Sequence, residues 1–479
     1  MRNYPTIFVT ILVAGAFFME NLDGTIIATA LPQMAGGFHT SAVTLNIGIT
    51  SYLATLAIFI PVSGWVADRF GGRLVFASAI SIFTLASVLC GISQTLTQFT
   101  LLRILQGVGG AMMVPVGRLI VLRAAHKNRL TQAIAYITWP ALTALVVGPP
   151  LGGFITTYFG WRWIFFLNLP LGFAALVLTF FWVDNAQSGV VDLTPFDWPT
   201  FLFAGLTSIG GIYALEELGR TGVPWEQPVV ILFFSLVSGA FAILNARRSP
   251  HSPIDLESMR IKSYRLSIYG ASGFRIAVSV LPFILPLMFQ IGFHLSALAS
   301  GTYLLALFAG DLSMKAFIIQ ALRRFGFRRI LIVNGIFTAA SIALCATLEP
   351  GTRPIVIVSV LFLHGAGRSL EFTCLTTLAY TEIEPIKMSR ANGFLSAVNQ
   401  LSLGVGVAVG AVTLRIVTHT QKHLSATPKV SDFHIVILCV AVLALSPVFD
   451  SLDLDDDAGA LTSGHLRRPL STRKDPTEP

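Results

Sequence analysis

Glu20 and Asp23 stand three residues apart inside an otherwise apolar run. Arg103, Arg118, Arg275, Asp311, Lys315, Arg368 and Glu371 interrupt other apolar runs in the same way. A charge at the centre of a bilayer costs at least about 2.5–3.5 kcal/mol, so nine unpaired ones would cost on the order of 25 kcal/mol. Residues of this kind must face water, pair with one another, or change protonation state. The spacing of Glu20 and Asp23 puts both on one helix face. Arg103 falls at a similar depth in its own run, which makes Asp23 and Arg103 a candidate acid–base pair. Burial and a second carboxylate favour the neutral form of a carboxyl, and a guanidinium favours its charged form. That balance suits proton exchange. Asp23 is the leading candidate for it, with Glu20 tuning the pair, and a purely structural ion pair is the alternative. Asp311 and Lys315 are four apart, the spacing of an intrahelical salt bridge. Arg368, Glu371 and Arg275, with His364 one turn before Arg368, read as a polar patch that lines a cavity or forms a buried network. Arg118 and Lys315 lie near the ends of their runs, where they can snorkel.

The elements that must position these charges follow from composition. Of 479 residues, 54% are hydrophobic and 12% charged, against about 25% charged in soluble proteins. The mean hydropathy is +0.74. This excludes a soluble enzyme, a nucleic-acid-binding protein, a disulfide-stapled secreted domain and a disordered regulator. A barrel would show about ten-residue segments of alternating polarity, which are not seen. Apolar stretches fall at 6–31, 43–66, 73–93, 98–122, 131–157, 162–183, 197–214, 228–246, 265–290, 297–320, 328–348, 354–378, 391–415 and 433–449, which predicts fourteen spans in an all-α membrane protein. With the N-terminus in the cytoplasm, 21 of the 32 Lys and Arg residues lie on inward segments and six on outward loops. The positive-inside rule therefore places both termini in the cytoplasm. It also explains the net charge of +8 without nucleic acid as a partner. Cys90, Cys345, Cys374 and Cys439 form no CxxC pair, so neither a zinc site nor a redox pair is expected. The first run resembles a signal peptide, but Glu20 and Asp23 interrupt it and it reads as a retained span. The sequence holds no Walker loop, HExxH or nucleophile elbow, and nothing suggests an enzyme or a cofactor.

Arg69-Phe70-Gly71-Gly72-Arg73 and Arg324-Phe325-Gly326-Phe327-Arg328 share the pattern Arg-Phe-Gly-x-Arg at an offset of 255 residues, on corresponding inward loops. Eight spans separate them, as in a six-span repeat with two spans inserted between the halves. The expected organisation is a six-helix bundle over 1–190, two inserted helices over 191–250, a second six-helix bundle over 251–450, and a disordered cytoplasmic tail over 451–479.

Gly64-Trp65-Val66-Ala67-Asp68-Arg69-Phe70-Gly71-Gly72-Arg73 resembles the loop signature of the major facilitator superfamily. Arg103-Ile104-Leu105-Gln106-Gly107 resembles its fourth-helix motif, and Gly148-Pro149-Pro150-Leu151-Gly152-Gly153 its antiporter motif. Leu22–Ile27 with Ala30-Leu31-Pro32, and Trp161–Pro170, are similar to motifs of the fourteen-span drug:proton antiporters. The stretch Gln106–Leu119 and the Arg-Phe-Gly-Phe-Arg-Arg loop look like one enteric bacterial branch of that group. The resemblance covers the chain except its tail. Gly72, Ala28 and Ala144 depart from the usual patterns, and Gly72 removes one basic contact from the loop.

The motif residues also have readings of their own. Gly64 would let two helices approach closely, and Asp68, with Arg69, Gly71 and Arg73 beside it, would pair or cap to latch one access state. Gly148, Pro149, Gly152 and Gly153 would seal a leak path or act as a hinge, or simply make a small-residue interface. The resemblance implies a transporter of the bacterial cytoplasmic membrane, functional as a monomer, that exports small amphipathic compounds against protons and binds no metal. Export of an endogenous metabolite or metal chelate, for which Arg275, Arg368 and Arg103 would suit an anion, is an alternative. Substrate:proton uptake is a weaker one.

Overall fold

Lipid offers no hydrogen-bond partner to the backbone, so long apolar runs satisfy themselves as helices. The computed structural model describes residues 6–124, 130–183, 196–218, 224, 226–249, 252–384, 388–420, 428–455 and 458–459. Among these there is no strand. The first half holds α1 (Thr6–Gly37), α2 (Ala42–Leu45), α3 (Ile47–Phe70), α4 (Gly72–Ile92), α5 (Leu96–Ala124), α6 (Leu130–Tyr158), α7 (Trp163–Phe166) and α8 (Asn168–Trp182). Then come α9 (Trp198–Leu218) and α10 (Glu226–Ala246). The second half holds α11 (Lys262–Leu287), α12 (Ala297–Met314), α13 (Ile318–Cys345), α14 (Pro354–Leu378), α15 (Met388–Thr420), α16 (Val430–Leu443) and α17 (Ser446–Leu452). α2 with α3, α7 with α8, and α16 with α17 each make one crossing, which gives fourteen membrane helices.

The repeat has a geometric counterpart. Gly71 and Gly326 both take positive φ, 87° and 72°, a conformation open to glycine at little cost. Gly326 thus breaks α13 where the sequence places a loop. Two residues on from each glycine, an arginine donates to a carbonyl in the last crossing of its own half. Arg73 Nη2 reaches Phe180 O at 2.6 Å, and Arg328 Nη2 reaches Leu452 O at 2.8 Å.

Helix packing divides the molecule into two ends. At the end away from these loops, one continuous core joins both halves, running through Ile26, Leu31, Ile155, Val280, Phe289, Leu304 and Phe433. At the loop end, each half has its own core: Phe17, Phe76 and Met113 in the first, Phe274, Leu331 and Leu375 in the second. The halves are therefore sealed together at the far end and separately packed at the loop end. A π-turn over Met288–Gly292 contributes to the seal, because Gln290 Nε2 donates to Thr29 O at 3.1 Å.

α9 packs on both α3 and α15. Phe201 meets Phe59 and Trp198 meets Trp65, each with ring centroids 5.7 Å apart. α10 packs on α9, held by Ser235 and Ser238 donating to Thr207 O and Phe203 O. It is the least buried of the described membrane helices. Its Phe233, Phe234 and Leu236 are exposed, as a lipid-facing helix requires.

The start of the expected tail departs from disorder. Ser451 and Leu454 are buried, Lys262 donates to Asp453 O, and Arg328 holds Leu452 O as above. Apolar side chains and basic donors together anchor these residues. Residues 456–457 and 460–479 lie outside the described ones, as do Arg2, Lys127, Arg129, Arg220, Lys387 and Lys422 of the charge argument.

Candidate functional site

Asp23 sits at mid-length of α1 and is 2% exposed. Its Oδ2 accepts from Arg103 Nη1 at 2.6 Å. Its Oδ1 accepts from Gln106 Nε2 at 2.9 Å and Asn168 Nδ2 at 3.0 Å. Arg103 Nη1 also donates to Gln106 Oε1 at 2.7 Å, and its Nε to Gly48 O at 3.4 Å. Its guanidinium lies 4.2 Å above the Tyr52 ring. Asn168 Nδ2 lies 2.9 Å from Ser87 Oγ, whose own hydroxyl donates to Phe165 O. Three motifs from three separate helices thus converge on one carboxylate, and both of its oxygens are occupied.

Glu20, one turn earlier, faces α5 and α3. A Cβ at Gly110 would lie 3.7 Å from Glu20 Cδ and 3.2 Å from Tyr52 Oη. Glu20 Oε2 and Tyr52 Oη are both buried without a hydrogen-bond partner. The bareness of Gly110 makes room for this pair. Glu20 and the Tyr52 hydroxyl thus flank Gly110, and the Tyr52 ring lies under the guanidinium that pairs with Asp23.

The expected patch of the second half is divided among separate partners. Arg368 pairs with Asp311, bridging α14 to α12, while Lys315 stands 3.8 Å from the same carboxylate. The intrahelical pair is thus the longer of Asp311's two contacts. Glu371 Oε2 accepts from Asn334 Nδ2 at 2.8 Å, and Glu371 Oε1 has no partner. His364 Nδ1 lies 3.1 Å from Ser341 Oγ. Arg275 is 1% exposed. It donates through Nη1 to Ser267 O at 2.7 Å, and its Nε and Nη2 have no partner. No ion pair joins Arg275, Arg368 and Glu371 to one another among the described residues. Each side chain is held by a different neighbouring helix or its own backbone, while the four-residue Asp311–Lys315 pair is present within α12 and its C-cap.

The antiporter-like segment sits where the halves meet. An alanine at Gly152 would place Cβ 2.5 Å from Ile26 O, and one at Gly148 would strike Thr25. Those two glycines let α6 lie against α1. Gly153 instead faces Ala297 and Leu298 of α12, and Gly301 faces Pro149 and Pro150 in return. The segment is thus a backbone-to-backbone contact within the far-end seal. Its mirror is Gly406 and Gly410 of α15 against Ile276, Ser279 and Val280 of α11, with Gly404 facing Leu53 of the other half. Sequence reasoning missed this second set, although the spacing Gly-x3-Gly recurs at Gly406 and Gly410 as at Gly148 and Gly152. Asn334 was missed as well, and nothing in its local sequence marks it.

In the loop motif, Arg69 stacks on Trp65 at 5.5 Å and Arg73 on Phe180 at 5.4 Å. Asp68 is exposed at the last turn of α3. Gly64 differs from expectation: a Cβ there would meet nothing within 4 Å. The loop end is where the halves pack separately, so no neighbouring helix presses on it in this state. Among the described residues, no group of three His, Cys, Asp or Glu side chains could hold a metal ion.

A family model described as Major Facilitator Superfamily matches residues 13–407. A relative from Pectobacterium atrosepticum, "Putative multidrug resistance protein MdtD", is 35% identical over 417 residues, 87% of this chain and 88% of the relative. The protein of that name from Salmonella typhimurium is 34% identical over 449 residues, 91% of this chain and 92% of the relative. Among solved structures, a mutant of the nucleoside transporter NupG aligns with a TM-score of 0.62 at 14% identity, covering 93% of this chain and 99% of that one. The xylose transporter XylE from E. coli, in a partially occluded inward open conformation, aligns with a TM-score of 0.61 at 14% identity, covering 94% and 98%. At that identity the two structures bear on the fold alone.

Proposed function

The chain belongs to the major facilitator superfamily, and from that premise we propose that it is a proton-coupled exporter of small amphipathic compounds, working by alternating access. The MdtD relatives, aligned over about nine-tenths of both chains, support multidrug efflux as the class of work. It is a multi-pass membrane protein. In this reading the membrane is the bacterial cytoplasmic membrane and both termini are cytoplasmic, which follows from the distribution of Lys and Arg. The loop end then faces the cytoplasm, and the separate cores at that end correspond to an inward-facing state. The reading takes the halves as six-helix bundles over 1–190 and 251–450, with two helices over 191–250 inserted between them. A monomer suffices, since each half supplies its own wall. The proton gradient is the energy source, with no cofactor and no chemical change to the substrate.

The observation that carries the reading is the contrast between the two carboxylates of α1. Both oxygens of Asp23 already accept hydrogen bonds, and Arg103 supplies the compensating charge. Glu20 keeps an oxygen without a partner beside a phenol without a partner. The moving proton therefore has an open acceptor at Glu20, and the Asp23–Arg103–Gln106–Asn168 network is the fixed charge beside it. Substrate and proton compete for Glu20, which couples their opposite movements. Purified protein in proteoliposomes tests this with ethidium and an imposed pH gradient. Wild type should move ethidium against the proton flux. Glu20→Gln should lose at least about tenfold of gradient-driven rate, the scale of a removed proton-transfer group, while ethidium counterflow persists. Wild-type gradient-driven rates in Glu20→Gln would return the role to Asp23. Proton and ethidium moving in the same direction would show symport.

A further inference from the structure

α9 and α10 lie outside the site described above, yet they are fixed to the first half at its loop end. Phe196, just before α9, closes with Trp198 and Phe201 around Phe59 and Trp65 of α3. Between ring centroids, Trp65 lies 5.5 Å from Phe196 and 5.7 Å from Trp198, and Phe59 lies 5.7 Å from Phe201. Phe196 and Trp198, 5.0 Å apart, complete the cluster. Edge and tilted contacts of this kind add directional attraction to the area they bury. A carboxylate binds the two inserted helices to each other at the same end. Asp197 Oδ1 accepts from Thr200 N at 3.1 Å and from Asn245 Nδ2 at 3.0 Å, and its Oδ2 accepts from Thr200 Oγ1 at 2.7 Å. Asn245 lies in the last turn of α10, so the loop end of α10 moves with the start of α9.

Toward the second half the contact is of another kind. A Cβ at Gly404 of α15 would lie 3.2 Å from Leu53 Cβ of α3 and 3.8 Å from Ile212 Cδ1 of α9. Ile212 thus rests on a bare glycine beside the line where α3 and α15 meet. An apolar contact of this sort has no preferred direction, and packed helices can slide past one another in small shears. Between Gly404 and the loop end, α15 carries Asn392, Ser396, Asn399, Gln400 and Ser402. Polar side chains are expensive in lipid. None of the residues from Arg390 to Gly404 is exposed, although this is the end where the halves are packed separately. The other seam between the halves, α6 against α12, carries neither inserted helix. There Tyr136 and Trp139 of α6 and Leu305 of α12 are exposed.

We propose that α9 and α10 form a sliding cover for the α3–α15 seam. The pair travels with the first half, held by the aromatic cluster, and α9 slides over α15 as the loop end opens and closes. The polar stretch of α15 thereby stays out of lipid in both access states. The two seams are then unequal, one covered and one open to lipid. The inference rests on the alternating-access reading above and gives the inserted helices a function within it.

The test uses spin labels at Leu202 of α9, Phe70 at the end of α3 and Phe325 in the loop of the second half, all exposed positions. They are introduced in pairs, as cysteines, into full-length protein without its four native cysteines, in phosphatidylcholine nanodiscs. Pulsed EPR distances are measured at acidic and alkaline pH, with and without ethidium. The Phe70–Phe325 pair reports the movement of the halves. The Leu202–Phe70 distance should hold while the Leu202–Phe325 distance shifts with that movement. A Leu202–Phe70 distance that shifts as the halves move would overturn the inference. A second measurement reads the cover itself. Single labels at Ser396, Ala397, Val398 and Asn399 sample a full turn of α15. Their collision rate with oxygen, which concentrates in lipid, should stay low at all four positions in every condition. Trp198→Ala combined with Phe201→Ala unfastens the cluster and should raise that rate severalfold at one position or more. A lipid-like rate in the parent protein, or low rates at all four positions in the monodisperse, folded double variant, would also overturn it. A Phe70–Phe325 distance that stays fixed in every condition counts against alternating access, and against this inference with it; moving halves with a shifting Leu202–Phe70 pair count against this inference alone.

Discussion

Replacing Asp23 by Asn should show whether the network around it is an ion pair or a set of ordinary hydrogen bonds. Asp23 accepts three, from Arg103, Gln106 and Asn168. An asparagine can keep the two at Oδ1, but its amide then points at Arg103 Nη1, donor against donor, at a site where the native contact is 2.6 Å. Arg103, at 0% exposure, would be left with Gln106 Oε1 and a long contact to Gly48 O. Breaking a buried pair by removing one partner costs about 3–5 kcal/mol. Losing one side-chain hydrogen bond within a membrane averages about 0.6 kcal/mol. The two explanations are separated by more than the error of a reversible SDS titration in mixed micelles. Asp23→Asn should lose about 3–5 kcal/mol, and Arg103→Gln a comparable amount because it strands the carboxylate. The double variant removes both charges and should lose less than the sum by about 1–3 kcal/mol. A single-variant loss under about 1 kcal/mol, closer to the hydrogen-bond figure, or strict additivity in the double variant, would refute the ion-pair account. It would also remove the ground for treating Asp23 as the fixed charge beside Glu20.

Gly153→Ala places a Cβ against the Ala297 carbonyl and 2.8 Å from Leu298 Cα, so it should pry α6 from α12 and open the far end. A membrane-impermeant maleimide should then label Leu31→Cys severalfold faster, in a background without the four native cysteines; unchanged labelling would show that the seal does not depend on this contact. Arg73→Ala and Arg328→Ala should each cost about 1 kcal/mol by losing the carbonyl of the last crossing, and the two losses should add, being in different halves. Unequal or strongly coupled losses in the same SDS titration would argue against equivalent loops. Reporter fusions at Leu218 and at Arg353 should both report the outside face, and a cytoplasmic signal at either would contradict the fourteen-span orientation.

The sequence by itself determined the number of crossings, because the cost of placing a residue in lipid accrues locally, run by run. It also located the repeat, since Arg-Phe-Gly-x-Arg recurs at a fixed offset and each copy needs a glycine at its turn, which the structure realises at Gly71 and Gly326. It identified the charges that interrupt the middle of apolar runs, because each is conspicuous against its neighbours, but it passed over Asp432 near the start of α16, which is fully buried. Partner choice was beyond it. Arg103 and Arg275 look alike in sequence, yet one has an aspartate at 2.6 Å and the other has no acid, because partners arrive from helices far away along the chain. Asp23 and Glu20 share a face of α1, but only the positions of Gln106, Asn168 and Gly110 decide which is saturated and which has an oxygen to spare. The tight contacts of Gly153 with Leu298, and the empty space around Gly64, likewise depend on which end of the seam is closed. That is a property of how two rigid halves meet, and no single span encodes it.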